Sequence, residues 1–473
     1  MDTIGYNESN VAVRLGLSDI NDLQMRALPI YRKENLYRRE EVDLAIDLFL
    51  LQGELTSSEL YRLLSEKEQQ LLKQAEVLSV DENGSGRATV SLYPSGNRLF
   101  FSDHAWPQLS QAPGTAVPWG QVMFVGTDSR WLARSTIRTP VANALDLCTG
   151  SGIHALLAAT HVKQAVAVDI NPRAAQCTLF NALASGCKNL EVKTGDLYDP
   201  VGDEKFDLIT ANPPFVPSPV NTLAYRDGGP SGEDVQRRIV AGLQKHLAPG
   251  GVAQIITEVG ESNEISVADR VRGWLRDAPI NLHVLKFRIF PAAVYAIGHG
   301  AGDNFNELLE SVDDWASNLR QQGYSRVVAV LLTFQWSDSV NGSPWNRTDE
   351  AYPPRDNCGD IISKIFDIEN KISSHRFQAE LESKKFSRIA PVILNENRVL
   401  GGNLTQVSKG FLSKQPLSVE YSLDPIELDL LAALEQTVDY TTLLSVASNI
   451  GLSVSVLKNS LMSLYRKRLI EAQ

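Results

Sequence analysis

The apolar run Phe206-Asp207-Leu208-Ile209-Thr210-Ala211 ends at Asn212-Pro213-Pro214-Phe215, and no other feature constrains the fold as tightly. Neither proline can donate to a sheet ladder, and each pushes its predecessor toward extended backbone. The run therefore reads as a buried strand whose carboxyl end is driven out of the sheet. In an open α/β sheet that end faces the crevice where ligands bind, which puts Asn212 and the neighbouring carbonyl there. Further apolar runs, Ala144 to Cys148, Ala165 to Asp169, Leu190 to Thr194, Val252 to Glu258, Leu282 to Phe287 and Val327 to Phe334, alternate with helical patterns. This alternation predicts an α/β core over residues 115–336, a doubly wound, seven-stranded, mostly parallel sheet with helices on both faces.

A chain of 473 residues is too long for one compact core. Residues 1–85 read as a helical N-terminal domain, with Val42, Leu44, Ile46, Leu48 and Leu50 clustered among charges and a helix start at Thr56-Ser57-Ser58-Glu59. Residues 86–114 form a connector with a hairpin around Pro94-Ser95-Gly96-Asn97. The polar stretch 337–359, holding Asn341-Gly342-Ser343-Pro344 and Pro353-Pro354, reads as a linker or mobile loop. Residues 360–473 form an accessory domain: a helix over 360–373, short strands near 389–403, then three short helices. Asp424-Pro425 caps one of these, and Ser453 starts the last, which carries Val456, Leu457, Leu461 and Leu464. That order suggests a winged-helix-like region. Lys458, Arg466, Lys467 and Arg468 on its final helix read as a solvated helix end favoured by the dipole, with nucleic-acid contact as the sharper alternative.

Composition narrows the partners. A net charge of -11 argues against a surface built for bulk phosphate binding, which ranks nucleic acid below protein. The four cysteines lack CxxC spacing, so a reducing cytoplasm fits better than a disulfide framework. No apolar run is long enough to span a bilayer, and the amino terminus lacks the pattern of a signal peptide. His154, His246 and His299 show no metal-ligand spacing, so no metal is expected. The composition says nothing of oligomeric state.

The turn Asp146-Leu147-Cys148-Thr149-Gly150-Ser151-Gly152 ends the first core strand and opens a helix, where Gly150 and Gly152 let backbone approach a ligand. By itself this turn could serve a dinucleotide, a nucleotide, or no ligand at all. The next strand ends in Asp169, placed to accept hydrogen bonds from vicinal ribose hydroxyls, and Asp196 follows a third strand where it could receive an adenine amino group. Each acid alone is as readily a strand-end cap, but three in register after three successive strands fit an adenosyl ligand.

These residues resemble the class I S-adenosylmethionine-dependent methyltransferases: Asp146 to Gly152 looks like their first motif, Asp169 their ribose acid, Gly195-Asp196-Leu197 their adenine-side motif, and Asn212-Pro213-Pro214-Phe215 the catalytic motif of the branch that methylates planar nitrogens. The resemblance implies a Rossmann-like core, S-adenosyl-L-methionine as cofactor, and contacts to it from Asp146, Cys148, Gly150, Gly152, Asp169, Ile170, Asp196, Leu197 and Asn212. Within that branch the pattern is similar to release-factor glutamine N5-methyltransferases and related small-domain methyltransferases, with Phe124-Val125-Gly126-Thr127-Asp128-Ser129 in the place of their segment before the first motif. It differs in having Phe215 where theirs has tyrosine, and in the region beyond 337.

Methyl transfer is an in-line displacement, so a nitrogen lone pair must be held about 3 to 3.5 Å from the methyl carbon. The Asn212 side-chain oxygen and the Pro213 carbonyl are suitable acceptors for the two hydrogens of a planar amine, and Phe215 offers it an apolar face. Pro214, Tyr225 and Arg226 belong to a loop that could fold over a substrate. The reading is an N-methyltransferase acting on an amide of a protein or peptide. The alternatives are the exocyclic amine of a nucleic-acid base, adenine N6 or guanine N2, and a small molecule or tailored peptide.

Overall fold

The computed structural model describes residues 1–24, 27–104, 120–220, 223–337, 344–373, 377, 380–389, 392–399, 405–412 and 416–473. The parts of the connector beyond 104, the first residues of the expected core, and Asn341-Gly342-Ser343 lie outside the described residues.

Eight strands form the central sheet. In chain order they are β1 (Val141–Leu147), β2 (Val162–Asp169), β3 (Leu190–Thr194), β4 (Phe206–Ala211), β5 (Leu247–Glu261), β6 (Ile280–Pro291), β7 (Arg326–Trp336) and β8 (Asn346–Glu350). Across the sheet they stand β8-β6-β7-β5-β4-β1-β2-β3, and every ladder is parallel except those that β7 makes with β5 and β6. The chain winds outward from β1 to β3, then crosses back to β4 on the other side of β1. The carboxyl ends of β1 and β4 therefore flank the topological switch point, where open α/β sheets bind ligands.

The core helices are α1 (Thr127–Ser135), α2 (Ile153–Ala158), α3 (Pro172–Ala184), α4 (Asp234–His246), α5 (Val267–Leu275), α6 (Ala292–His299) and α7 (Phe305–Gln321). On one face Ile239, Val240 and Leu243 of α4 and Val267 and Val271 of α5 pack on Leu145, Val166, Ile209 and Ile255. On the other, Trp131 and Leu132 of α1 meet Ile256, Leu285 and Leu331, while Ala158 of α2 sits on Ala144, Ala165 and Leu208. Burial on both faces is why these strands read as apolar runs instead of alternating, and each fully buried leucine or isoleucine contributes about 1.5 to 3 kcal/mol.

All seven expected strands form, but the sheet has eight, and the eighth corrects the reading of 337–359 as a linker. Residues 346–350 pair parallel with β6. Asn-Arg-Thr-Asp-Glu has no apolar alternation, so nothing in its pattern marks a strand; it is held by backbone bonds and by charge. Arg347, nearly buried, reaches Asp349 at 2.7 Å and Glu369 at 3.0 Å. The N-terminal region also differs from an all-helical expectation. It holds a three-stranded sheet of 54–55, 86–88 and 78–80, whose strands are too short to show a period of two. The hairpin of 91–95 and 98–102 forms as expected, turning at Gly96-Asn97, and Asn181 of α3 pins it by bonds to the Phe101 N–H and carbonyl, both 2.8 Å.

Toward the carboxyl end, helices 425–433, 440–449 and 454–466 pack around Leu430, Leu443, Leu457, Leu461 and Leu464, with Asp424 and Ser453 as their expected N-caps. The basic side chains there are held in ion pairs, Arg466 with Glu369 at 3.0 Å, Lys467 with Glu427 at 2.6 Å and Lys458 with Glu382, and Arg468 is nearly buried, where the sequence predicts a solvated helix end. Among the described residues no helix is long and apolar enough to cross a membrane.

Candidate active site at the switch point

A cavity of about 420 Å³ opens over the ends of β1, β2, β3 and β4. Leu147 pairs with Val168 on one side and with Ala211 on the other, so Cys148 and Asn212 leave the sheet next to each other. Of the residues singled out from sequence, Cys148, Gly150, Asp169, Ile170, Asp196, Leu197, Asn212, Pro214 and Tyr225 line this cavity. Motifs spread over 78 positions of chain thus meet at one place.

The turn after β1 needs left-handed backbone. Gly150 has φ of +57° and Gly152 +81°, and two residues with side chains, Cys148 at +55° and Leu197 at +48°, share that sparsely populated region on the cavity wall. A Cβ on Gly150 would enter open space, whereas one on Gly152 would lie 2.7 Å from Cγ2 of Thr178. Thr178 cannot retreat freely, since its hydroxyl donates to the Gly150 carbonyl at 3.0 Å. Gly152→Ala is expected to lower the unfolding free energy by about 1 to 3 kcal/mol, read from the urea midpoint.

Asp169 closes the turn against β2: one carboxylate oxygen accepts from the Gly150 N–H and the other from the Asn171 N–H, both at 2.9 Å. Burial raises its pKa, and the two backbone bonds oppose that. Asp196 accepts at 2.8 Å from Arg238, an exposed pair at the rim. His154, on the first turn of α2, is 5 % exposed and lines the cavity with neither ring nitrogen partnered among the described residues. Burial lowers its pKa to about 3, so it is a neutral imidazole with one donor and one acceptor to offer.

Asp146 is corrected by its surroundings. It lies beneath the turn, off the cavity wall, and accepts from the Thr149 hydroxyl at 2.6 Å, the Thr210 hydroxyl at 2.7 Å and the Ala155 N–H at 3.2 Å. It braces β1, β4 and α2. Burial pushes its pKa from 3.8 to about 7. The folded chain therefore binds more protons than the unfolded one across that window, and this group's contribution to stability falls as pH rises through it. Asp146→Asn is expected to flatten the decline in unfolding free energy between those pH values, followed by denaturant titration at each pH.

The amide of Asn212 is fixed by two residues of α1. Its nitrogen donates to the Asp128 carboxylate at 2.9 Å and to the Ser129 hydroxyl at 3.0 Å. A carboxylate only accepts, so the nitrogen must face Asp128, and the side-chain oxygen is left as an acceptor at the cavity. Sequence reading placed 124–129 before the first motif without giving Asp128 and Ser129 this task. The signal that was available is an acid and a hydroxyl in the first turn of a helix preceding the glycine turn.

Three expected side chains lie elsewhere. Pro213 and Phe215 are not on the cavity wall: the Phe215 and Val216 N–H groups both bond the Arg226 carbonyl, at 3.0 and 2.9 Å, which carries the Phe215 ring outward against Val216, Tyr295 and Trp315. Arg226 is not free to hold an anion, because its guanidinium pairs with Asp227 at 2.8 Å and lies 5.9 Å over the Trp315 ring. Beside this cluster, and missed in sequence, Glu258 at the end of β5 accepts from the Tyr295 hydroxyl at 2.6 Å. Burial pushes its carboxyl to about 7, with Asp128 adding to the rise and Tyr295 opposing it.

Residues 126–265 match the family described as Methyltransferase small domain. The chain is 39% identical over 141 residues to the ribosomal protein uL3 glutamine methyltransferase of Bradyrhizobium diazoefficiens, covering 27% of this chain and 43% of that one. It is 32% identical over 142 residues to the release factor glutamine methyltransferase of Geobacter sulfurreducens, covering 27% and 50%. Over 111 residues it is 35% identical to the tRNA1(Val) (adenine(37)-N6)-methyltransferase of Porphyromonas gingivalis, covering 21% and 44%. The chain spans about half the length, or less, of these curated relatives. The segment that carries both the glycine turn and the Asn-Pro-Pro-Phe motif is the part of the chain that matches the methyltransferase small domain.

Proposed function

We propose that the chain methylates a planar amide nitrogen of a protein or peptide, of the glutamine type, using S-adenosyl-L-methionine. The observation that carries this reading is the Asn212 amide, turned by Asp128 and Ser129 so that its oxygen is an acceptor at the cavity. Bound there, S-adenosyl-L-methionine would supply a methyl group activated on a sulfonium. The lining suits it: glycine backbone at 150, an Asp169 carboxylate with lone pairs left for ribose hydroxyls, and Asp196 and Leu197 on the adenine side beside Cys148 and Ile170. His154 adds an unpartnered donor and acceptor to the same wall.

On the acceptor side, Asn212 and the Pro213 carbonyl hold the two hydrogens of the amide, so that its lone pair points across the cavity. Pro214 and Tyr225, which line the cavity, close over it. The relatives that act on glutamine of uL3 or of a release factor support a protein acceptor. A second reading, the exocyclic amine of a base, is favoured by the tRNA adenine relative. We read the region 360–473 as winged-helix-like, from the order of helix, short strand, two helices and strand after 423, and from cysteines without CxxC spacing we infer a cytoplasmic enzyme.

The test is transfer from methyl-labelled S-adenosyl-L-methionine in a lysate from cells lacking this protein. Label in protease-sensitive material, released on hydrolysis as methylated glutamine, is the expected result. Label in nuclease-sensitive material would replace the protein acceptor with the base, and absence of label from every fraction would remove the transferase reading.

A further inference from the structure

A second recess, about 570 Å³, lies where the N-terminal region and the hairpin meet α1, away from the donor cavity. Five arginines line it, at 98, 130, 134, 138 and 355, against the acids Glu8, Asp19 and Asp356. That balance is unusual in a chain of net charge -11. Two of the acids are already matched. Arg134 grips Asp19 with both ends of its fork, at 2.7 and 3.0 Å, and reaches Glu8 at 2.7 Å.

The other arginines have no carboxylate partner among the described residues. Arg130 is only 6 % exposed; its fork meets the Tyr93 hydroxyl at 2.9 Å, the Thr127 hydroxyl at 3.2 Å and the Val125 carbonyl at 3.4 Å and lies 5.3 Å over the Tyr93 ring, but its Nε is unpartnered among the described residues and none of these neighbours is an anion. A buried guanidinium without a counter-charge is costly unless something supplies one. Arg138, just beyond the end of α1, bonds the Ala133 carbonyl at 2.7 Å and no other group among the described residues, and burial lowers its pKa. Arg98 and Arg355 bring further positive charge from the hairpin and from the segment after β8.

We infer that this recess is an anion site that takes the phosphate group of a small phosphorylated ligand, with Arg130 at its buried side and Arg98, Arg138 and Arg355 around it. Phosphate suits the arrangement better than a carboxylate, because it offers oxygens to several guanidinium forks at once while one fork saturates a carboxylate. The shape favours a small ligand over a polynucleotide, since the arginines converge on a recess bounded by the N-terminal region and do not form a stripe. The site stands independently of the methyl acceptor. It has a bearing on the donor cavity all the same: Arg130 belongs to the helix whose Asp128 and Ser129 orient Asn212.

Calorimetric titration of the full chain with pyrophosphate, then with ADP, tests the proposal. Pyrophosphate is expected to bind with a Kd of about 1 mM or tighter and to raise the melting temperature. The double variant Arg138→Gln with Arg355→Gln is expected to bind at least about tenfold more weakly, with its melting temperature in the absence of ligand unchanged. Arg98→Gln, on a separate element, gives the same readout should the double variant fold poorly. Absence of both heat and thermal shift in the wild type would overturn the site, as would undiminished binding in the variants. Binding of a single-stranded oligonucleotide that pyrophosphate fails to displace would overturn the choice of ligand.

Discussion

Asn212→Ala is expected to slow methyl transfer by about a hundredfold or more, while affinity for S-adenosylhomocysteine stays within about threefold of wild type. The substitution removes an acceptor for the incoming amide and leaves the lone pair free to point away from the donor, which is a loss of alignment. Asp128→Asn should reproduce part of this effect without touching the acceptor. An asparagine there can turn its own NH2 toward the nitrogen of Asn212, and the pair that fixes the gate amide at 2.9 Å is lost. Stopped-flow transfer and calorimetry on the same preparations separate the two quantities. Equal losses of turnover and of product affinity in Asn212→Ala would contradict the division of labour between gate and donor cavity.

Asp169→Ala is expected to act in the opposite sense, weakening S-adenosylhomocysteine binding by at least about a hundredfold. The carboxylate accepts from Gly150 and Asn171 at 2.9 Å each, so its removal leaves two backbone donors without their partner as well as taking away the acceptor proposed for the ribose. Hydrogen bonds to a charged group are worth about 1.5 to 3 kcal/mol each, and the turn they hold is itself in strained backbone. Asp169→Asn should fall between wild type and alanine, because an amide accepts through one oxygen only. Near-normal affinity in Asp169→Ala would place the adenosyl group elsewhere and with it the whole assignment of the cavity.

Much of the sheet was legible because buried parallel strands are continuous apolar runs, and Phe206 to Ala211 ends in the structure where the pattern ends, while the edge strand Leu190 to Thr194, half-exposed, shows only a polar alternation. β8 was not legible. Asn346 to Glu350 joins through backbone pairing and through Arg347, and neither leaves a hydrophobic signature. The same limit hid the two- and three-residue strands of the N-terminal region. In the site, carboxylates after successive strands could be counted, but their targets could not. Asp146 faces inward to Thr149 and Thr210, whereas Asp169 lies on the cavity.

The sequence by itself determined the order of the strands along the chain, the positions of the glycine turn and of Asn212, and the class of chemistry they suit, since these follow from local hydrophobic pattern and from backbone that proline and glycine dictate. Only the tertiary structure decided what holds the Asn212 amide, that Arg226 is committed to Asp227 and Trp315, and that arginines without a carboxylate partner, from separate elements, share one recess. The bond from Asn212 to Asp128 joins residues 84 positions apart. Orientation and charge compensation depend on such distant neighbours, and a linear pattern carries no record of which of them will meet.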